Sequence, residues 1–155
     1  MFLKKILVGT ILLCASFCCD EQTDCAAVLC AGPPVIGLEV LSDGQNIFES
    51  DIYDLQDVTL ESTEASDFLV SLATYQNMDG EEVTVLVLDN AQWNSQAYDI
   101  TLNFSLEATA NLEIQIGSSP IGGCCGGIPT LENLLIDGNP TQRNEGTGFF
   151  TLNLN

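Results

Sequence analysis

Residues 68–88, FLVSLATYQNMDGEEVTVLVL, decide the fold. Over 68–74 the large apolar side chains Phe68, Val70 and Leu72 fall at every second position, the period of a strand with one buried face. Asn77-Met78-Asp79-Gly80 is a strong hairpin turn, because asparagine, aspartate and glycine tolerate the backbone angles that a tight reversal needs. After Glu81-Glu82, residues 83–88 (VTVLVL) are β-branched or leucine, a composition that suits a pleated, half-buried surface. The stretch is therefore a β-hairpin.

The same grammar extends in both directions. Strands are expected over 35–41 (VIGLEVL), with the turn Ser42-Asp43-Gly44 and a short continuation at 46–48, then over 58–62 (VTLES), 98–106 (YDITLNFSL) and 112–116 (LEIQI). Two more follow over 131–136 (LENLLI), closed by Asp137-Gly138, and over 148–155 (GFFTLNLN). Between them lie a polar loop at 89–97 carrying Trp93 and a glycine-rich loop at 117–127 carrying Cys124 and Cys125. About eight short strands with turn signals every 8–12 residues or so, no helical period and no internal repeat predict an all-β chain. The expected form is an antiparallel β-sandwich, immunoglobulin-like, with a small barrel or jelly roll as the alternative.

The N-terminal stretch is foreign to this pattern. Met1 to Asp20 is MFLKKILVGTILLCASFCCD: a positive start at Lys4 and Lys5, an apolar run, and a sharp acidic boundary. That order describes an export signal, and the run falls short of the roughly 20 apolar residues that a membrane-spanning helix needs. It ends on Cys18-Cys19 instead of a small-x-small cleavage site, and in this it resembles the signal of bacterial lipoproteins, whose cysteine at the cleavage point is acylated and becomes the new N-terminus. Ser16, Phe17 and Cys18 before Cys19 depart from the usual leucine and small residues. A small residue just before cleavage favours Cys19, and Cys18 is the alternative. The expected organisation is a lipoprotein signal peptide at 1–18, an acidic tether with cysteines at 19–32, and a β-sandwich domain at 33–155.

Charge narrows the partners. The chain has 22 acidic residues, three basic ones and no histidine, for a net charge of −19. Both lysines lie in the leader, so the mature domain keeps one basic residue, Arg143. Nucleic acid is excluded as a partner, because phosphate recognition requires a basic surface. Attraction to an anionic membrane surface is excluded on the same ground. The partner that remains at the membrane is the lipid bilayer, through an acylated cysteine, since two or more acyl chains anchor stably.

If Cys19 carries lipid, Cys25, Cys30, Cys124 and Cys125 remain, an even number that argues for disulfides in an exported chain. Three connectivities are open. Joining the neighbours Cys124 and Cys125 closes a strained ring and ranks last; the other two tie the tether to the glycine loop twice. Zinc fits poorly, because its cysteines are normally spaced two to four apart.

Without histidine or lysine in the mature domain, the commonest bases and amine nucleophiles are absent, so a Ser-His-Asp or Cys-His machine cannot be built. The expectation is a non-enzyme; the alternative is a glycan hydrolase run by a carboxylate pair. No cofactor is required. Calcium is the one candidate ion, because Glu49, Asp51, Asp54 and Asp57 crowd one loop and Asp79, Glu81 and Glu82 crowd a turn, and calcium takes oxygen ligands on flexible loops. The spacing does not match an EF-hand. Trp93, amid Asn90, Gln92, Asn94 and Gln96, is either a stacking platform for a sugar or a plug at the end of the sandwich, and Tyr53, Tyr75 and Tyr98 share that ambiguity. The partner would be a glycan or protein ligand.

Beyond the leader, Cys25-x4-Cys30-x2-Pro33-Pro34-Val35-Ile36-Gly37-Leu38-Glu39-Val40-Leu41-x-Asp43-Gly44, with Cys124-Cys125-Gly126-Gly127-Ile128-Pro129-Thr130-Leu131-Glu132-Asn133-Leu134-x-Ile136-Asp137-Gly138, resembles small uncharacterised lipoproteins of Bacteroidota, of the Flavobacteria type. Asp20, Glu21 and Asp24 resemble the acidic tethers of that group, which favour display on the outer surface. The resemblance implies export and lipid anchoring at the bacterial outer membrane, facing outward. It supplies a location and a fold, with no assigned activity. The function expected is a binding or structural module at the cell surface, with a carboxylate-dependent glycan hydrolase or a calcium-dependent adhesion subunit as alternatives.

Overall fold

A computed structural model describes residues 29–50, 53–64, 67–77, 79–105, 108–120 and 124–154. The chain divides into two units, Met1–Cys30 and Ala31–Asn155. Of the first, only Leu29 and Cys30 are described; the strands below belong to the second.

That unit is an all-β sandwich of two packed sheets. Its strands are β1 (Ile36–Ser42), β2 (Gln45–Asn46), β3 (Val58–Ser62), β4 (Phe68–Gln76), β5 (Glu82–Asn90), β6 (Ala97–Phe104), β7 (Ala108–Ser118), β8 (Pro129–Ile136), β9 (Asn139–Pro140) and β10 (Phe150–Leu154), with a short 3₁₀ helix at Leu55–Asp57 before β3. One sheet runs β10-β1-β5-β4, with β2 paired to β1; the other runs β3-β6-β7-β8-β9. The β4–β5 hairpin forms as its alternation and turn require, with Phe68 opposite Asn90 and Gln76 opposite Glu82. Asp43-Gly44 and Asp137-Gly138 both take the left-handed conformation, with φ of 50° and 76°, and 50° and 74°. Two consecutive positive φ angles match the right-handed strand twist, so Asp-Gly pairs close β1–β2 and β8–β9.

Among the described residues every strand pairing is antiparallel except one. The last strand, β10, runs parallel to β1, with Leu38 beside Phe150 and Ser42 beside Leu154. The core lies between the sheets. Ile36, Leu38, Val40, Leu86, Leu88 and Leu152 meet Ile100, Leu102, Phe104, Leu112, Ile114 and Ile116, all at 0–2 % exposure. Burying an aliphatic side chain of this size stabilises by about 1.5–3 kcal/mol, so this seam holds the sandwich closed. A smaller apolar patch, Val83, Val85 and Val87 under Phe149, lies on the outer face of the first sheet. Gly37 makes room for it, since a Cβ there would sit 2.5 Å from the Phe149 ring.

Candidate functional site

The loop between β5 and β6 carries the aromatic corner. Trp93 is 6 % exposed. Its ring meets Phe68 and Tyr98 edge-on at 5.5 and 5.2 Å, and its Nε1 donates to the Pro34 carbonyl at 2.7 Å. Of the two readings of this residue, the plug describes the geometry. A sugar platform needs an open ring face and a free polar edge, and Trp93 offers neither. Tyr98, one residue into β6, is also buried; its hydroxyl accepts from the Asn94 amide at 2.8 Å and donates to the Asn94 carbonyl at 3.3 Å. The phenol thus satisfies both backbone groups of a loop residue four positions upstream, which fixes the corner between the sheets. Asn90, buried at the end of β5, accepts from Gln92 through Oδ1 and leaves its Nδ2 without a partner.

Within the acidic loop 49–57, Glu49, Asp54 and Asp57 spend their carboxylates on backbone. The Asp54 side chain accepts from the Gln56 amide at 2.7 Å, and the Asp57 side chain accepts from the Asp54 amide at 2.9 Å, a reciprocal cap on the 3₁₀ helix. Glu49 reaches across to β5, where its Oε1 accepts from the Thr84 amide at 2.8 Å. Beside it, Asn46 Nδ2 donates to the Thr84 carbonyl at 2.7 Å and to Glu49 at 3.3 Å. The β1–β5 ladder ends at Leu38 opposite Leu86. Asn46 and Glu49 therefore occupy the place of a strand partner for the next exposed stretch of β5. Burial, then the nearby Glu49 charge, holds the Glu39 carboxyl above its ordinary range. Among the described residues no three His, Cys, Asp or Glu side chains are gathered as a metal site. Glu49, Asp54 and Asp57 thus form no ligand set among themselves, and Asp51 lies outside the described residues.

The outer face of the second sheet holds an open depression of about 510 Å³, lined by Glu61, Ser62 and Thr63 of the β3 end, Asp99 and Thr101 of β6, and Asn111 and Glu113 of β7. Strand alternation places these polar side chains outward while their neighbours enter the core. Register brings Asp99 opposite Glu113, and Glu61 and Asn111 to either side of Thr101. Thr101 donates to the Asn111 side chain at 3.1 Å. At the rim, Glu64 accepts from the Thr63 hydroxyl at 2.8 Å and from the Asp99 amide at 3.2 Å, and these bonds hold its carboxyl below the ordinary range. None of these carboxylates stands out in the sequence. The alternation marks each as outward-facing, but only the strand register gathers them.

Cys30 is disulfide-bonded to Cys125, and Cys124 is disulfide-bonded as well. The glycine-rich segment that presents them is closed by Ser119. Its hydroxyl donates to the Cys125 carbonyl and accepts from the Ile128 amide, and its backbone pairs with Ile128 and Gly127. The pairing of Cys124 with Cys125, which ranks last on the sequence, is thereby excluded. Cys25 and the lipidation candidates Cys19 and Cys18 lie outside the described residues.

The chain matches no family model, no curated protein and no solved structure.

Proposed function

We propose that this chain is an exported, lipid-anchored β-sandwich acting as a binding or structural module, without catalysis, at the bacterial outer membrane and facing the cell surface. The observation that carries the reading is the disulfide framework of Cys30, Cys124 and Cys125. Disulfides persist in oxidising compartments outside the cytosol, and the leader at 1–18 supplies the route there. With Cys30, Cys124 and Cys125 committed to disulfides, acylation falls to a cysteine at the end of the leader, Cys19 with Cys18 as the alternative, and the bilayer is then a partner through the acyl chains. The resemblance to Bacteroidota lipoproteins points the same way.

The scaffold fits an immunoglobulin-like module. The orders β1-β5-β4 and β3-β6-β7 match the B-E-D and C-F-G orders of that fold, and the Tyr98 hydroxyl bonding back to Asn94 at the start of β6 resembles its tyrosine corner. β10 stands where strand A would stand, but parallel to its neighbour.

Mass spectrometry of the protein extracted from the membranes of a lipoprotein-processing bacterium tests the anchor. The expected N-terminus is an acylated Cys19. A chain acylated at Cys18 shifts the anchor by one residue, and a chain with both cysteines unmodified overturns it. A second reading, a glycan-directed carboxylate site, has the depression of Glu61, Asp99 and Glu113 in its favour. Screening against a glycan array decides that reading, and no binding to any glycan removes it.

A further inference from the structure

We propose that the edge strand β4 is a self-pairing surface, through which two copies of the chain join antiparallel about a twofold axis at Leu72. A sheet edge presents unpaired amides and carbonyls to any strand that can align with them, and soluble proteins guard such edges with charge, proline, short length or a covering segment. The other three edges carry those guards. β3 is five residues long and includes Glu61. β9 is two residues and ends on Pro140. β10 is approached by Arg143, bridged to Phe150, and by Asn144, whose amide donates to the Phe149 carbonyl at 2.7 Å. β4 is nine residues, FLVSLATYQ, with no charged residue, proline or glycine, and among the described residues it pairs with β5 alone.

The sequence of β4 is complementary to itself. Antiparallel pairing about Leu72 sets Leu69 opposite Tyr75 of the second copy, Val70 opposite Thr74, and Ser71 opposite Ala73. Leu69 and Tyr75 are 61 % and 43 % exposed, among the few large apolar side chains left in water, and both lie on the outer face. The pairing buries each against the other twice. On the inner face, Val70 and Leu72 point toward the core yet stay half-buried, whereas Leu86 and Leu88 on the adjoining strand are fully buried. A second β4 closes that open side.

The self-complementary register points to a second copy as the occupant, and charge at this edge does not oppose it. A chain of net charge −19 repels itself over most of its surface. β4 contributes nothing to that repulsion, and in this register Asp67 at one end meets Asn77 of the other copy, so no carboxylate faces its equivalent. The product is a continuous sheet of two β10-β1-β5-β4 halves.

Sedimentation velocity of the full chain in detergent, over a concentration series, reads the result. The expected outcome is an apparent mass that doubles as concentration rises. The double variant Leu69→Glu with Tyr75→Glu sets carboxylates opposite one another twice and should weaken the dimer by about tenfold or more. The charge swap Leu69→Glu with Tyr75→Lys sets opposite charges in the same register and should restore it. Both positions are exposed, and a cooperative melt of each variant confirms that it is folded. A wild-type chain that stays monomeric throughout overturns the proposal. So does a dimer that the double carboxylate variant leaves intact, or one that the charge swap fails to restore, since its interface or register is then a different one.

Discussion

At the scale of single residues, Tyr98 fixes the turn from one sheet to the other. Its ring is buried in the aromatic corner with Trp93 and Phe68, and its hydroxyl satisfies the Asn94 amide and carbonyl together. Tyr98→Phe keeps the ring and removes both bonds, leaving backbone groups of the corner without a protein partner. The expected loss is about 1–3 kcal/mol in urea denaturation, the cost of an unmade hydrogen bond at a buried group. A variant as stable as the wild type would mean that water replaces the hydroxyl at no cost. The role of Tyr98 was only half legible in the sequence. A tyrosine at the start of an alternating strand, after a polar loop, leaves open whether its ring is a platform or a plug, and the reach of its hydroxyl to a residue four positions back depends on the loop's path. Trp93 shows the same limit. Its amide-rich neighbours suggest an exposed site, while the carbonyl that takes its Nε1 belongs to Pro34, far away in sequence.

At the scale of elements, the hairpin over 68–88 was legible because alternation, β-branching and an Asp-Gly turn all agree. Other elements follow rules that local pattern does not carry. β8 (PTLENLLI) breaks its alternation because the register against β7 shifts between Gln115 and Ile116. The extra residue lets Leu131, Leu134 and Ile136 all pack on the core despite their uneven spacing. The acidic loop looked like a cation site because its carboxylates are dense, yet Asp54 and Asp57 cap a helical turn and Glu49 completes the edge of β5. That clamp has an electrostatic consequence at Glu39, whose carboxyl is raised by burial and by Glu49. A group with its folded pKa raised contributes stability that is in full below the unfolded pKa and lost as pH rises through the folded pKa. Glu39→Gln is neutral at every pH and avoids that loss. It should therefore be more stable than the wild type at pH 7, by roughly 0.5 kcal/mol or less given the screening at a partly exposed site. The advantage should shrink as pH falls to about 4, where free carboxylates protonate. Paired urea titrations at the two pH values measure it, and an advantage that grows toward low pH would contradict the assigned cause.

At the scale of the whole molecule, the strands make a two-sheet core that the alternation predicts, while the covalent link is what the strand pattern cannot place. Cysteine parity predicts disulfides and leaves the connectivity open, because loops of similar length satisfy it equally. The structure joins Cys30 to Cys125 and so ties the entry of the sandwich to the glycine-rich segment between β7 and β8. Closing a loop of about 95 residues removes unfolded-state entropy worth about 4–5 kcal/mol in the chain-entropy model. That is a large fraction of the roughly 5–15 kcal/mol that holds a domain of this size folded. Cys30→Ser is therefore expected to unfold well below the wild type in urea, with no change in the β signature of its far-UV circular dichroism under native conditions, because the core of β1, β5, β6 and β7 includes no cysteine. Reduction of the wild type should lower the midpoint at least as far, since it also opens the Cys124 bond. A Cys30→Ser midpoint equal to that of the oxidised wild type would show that the native packing, and not the covalent loop, limits unfolding.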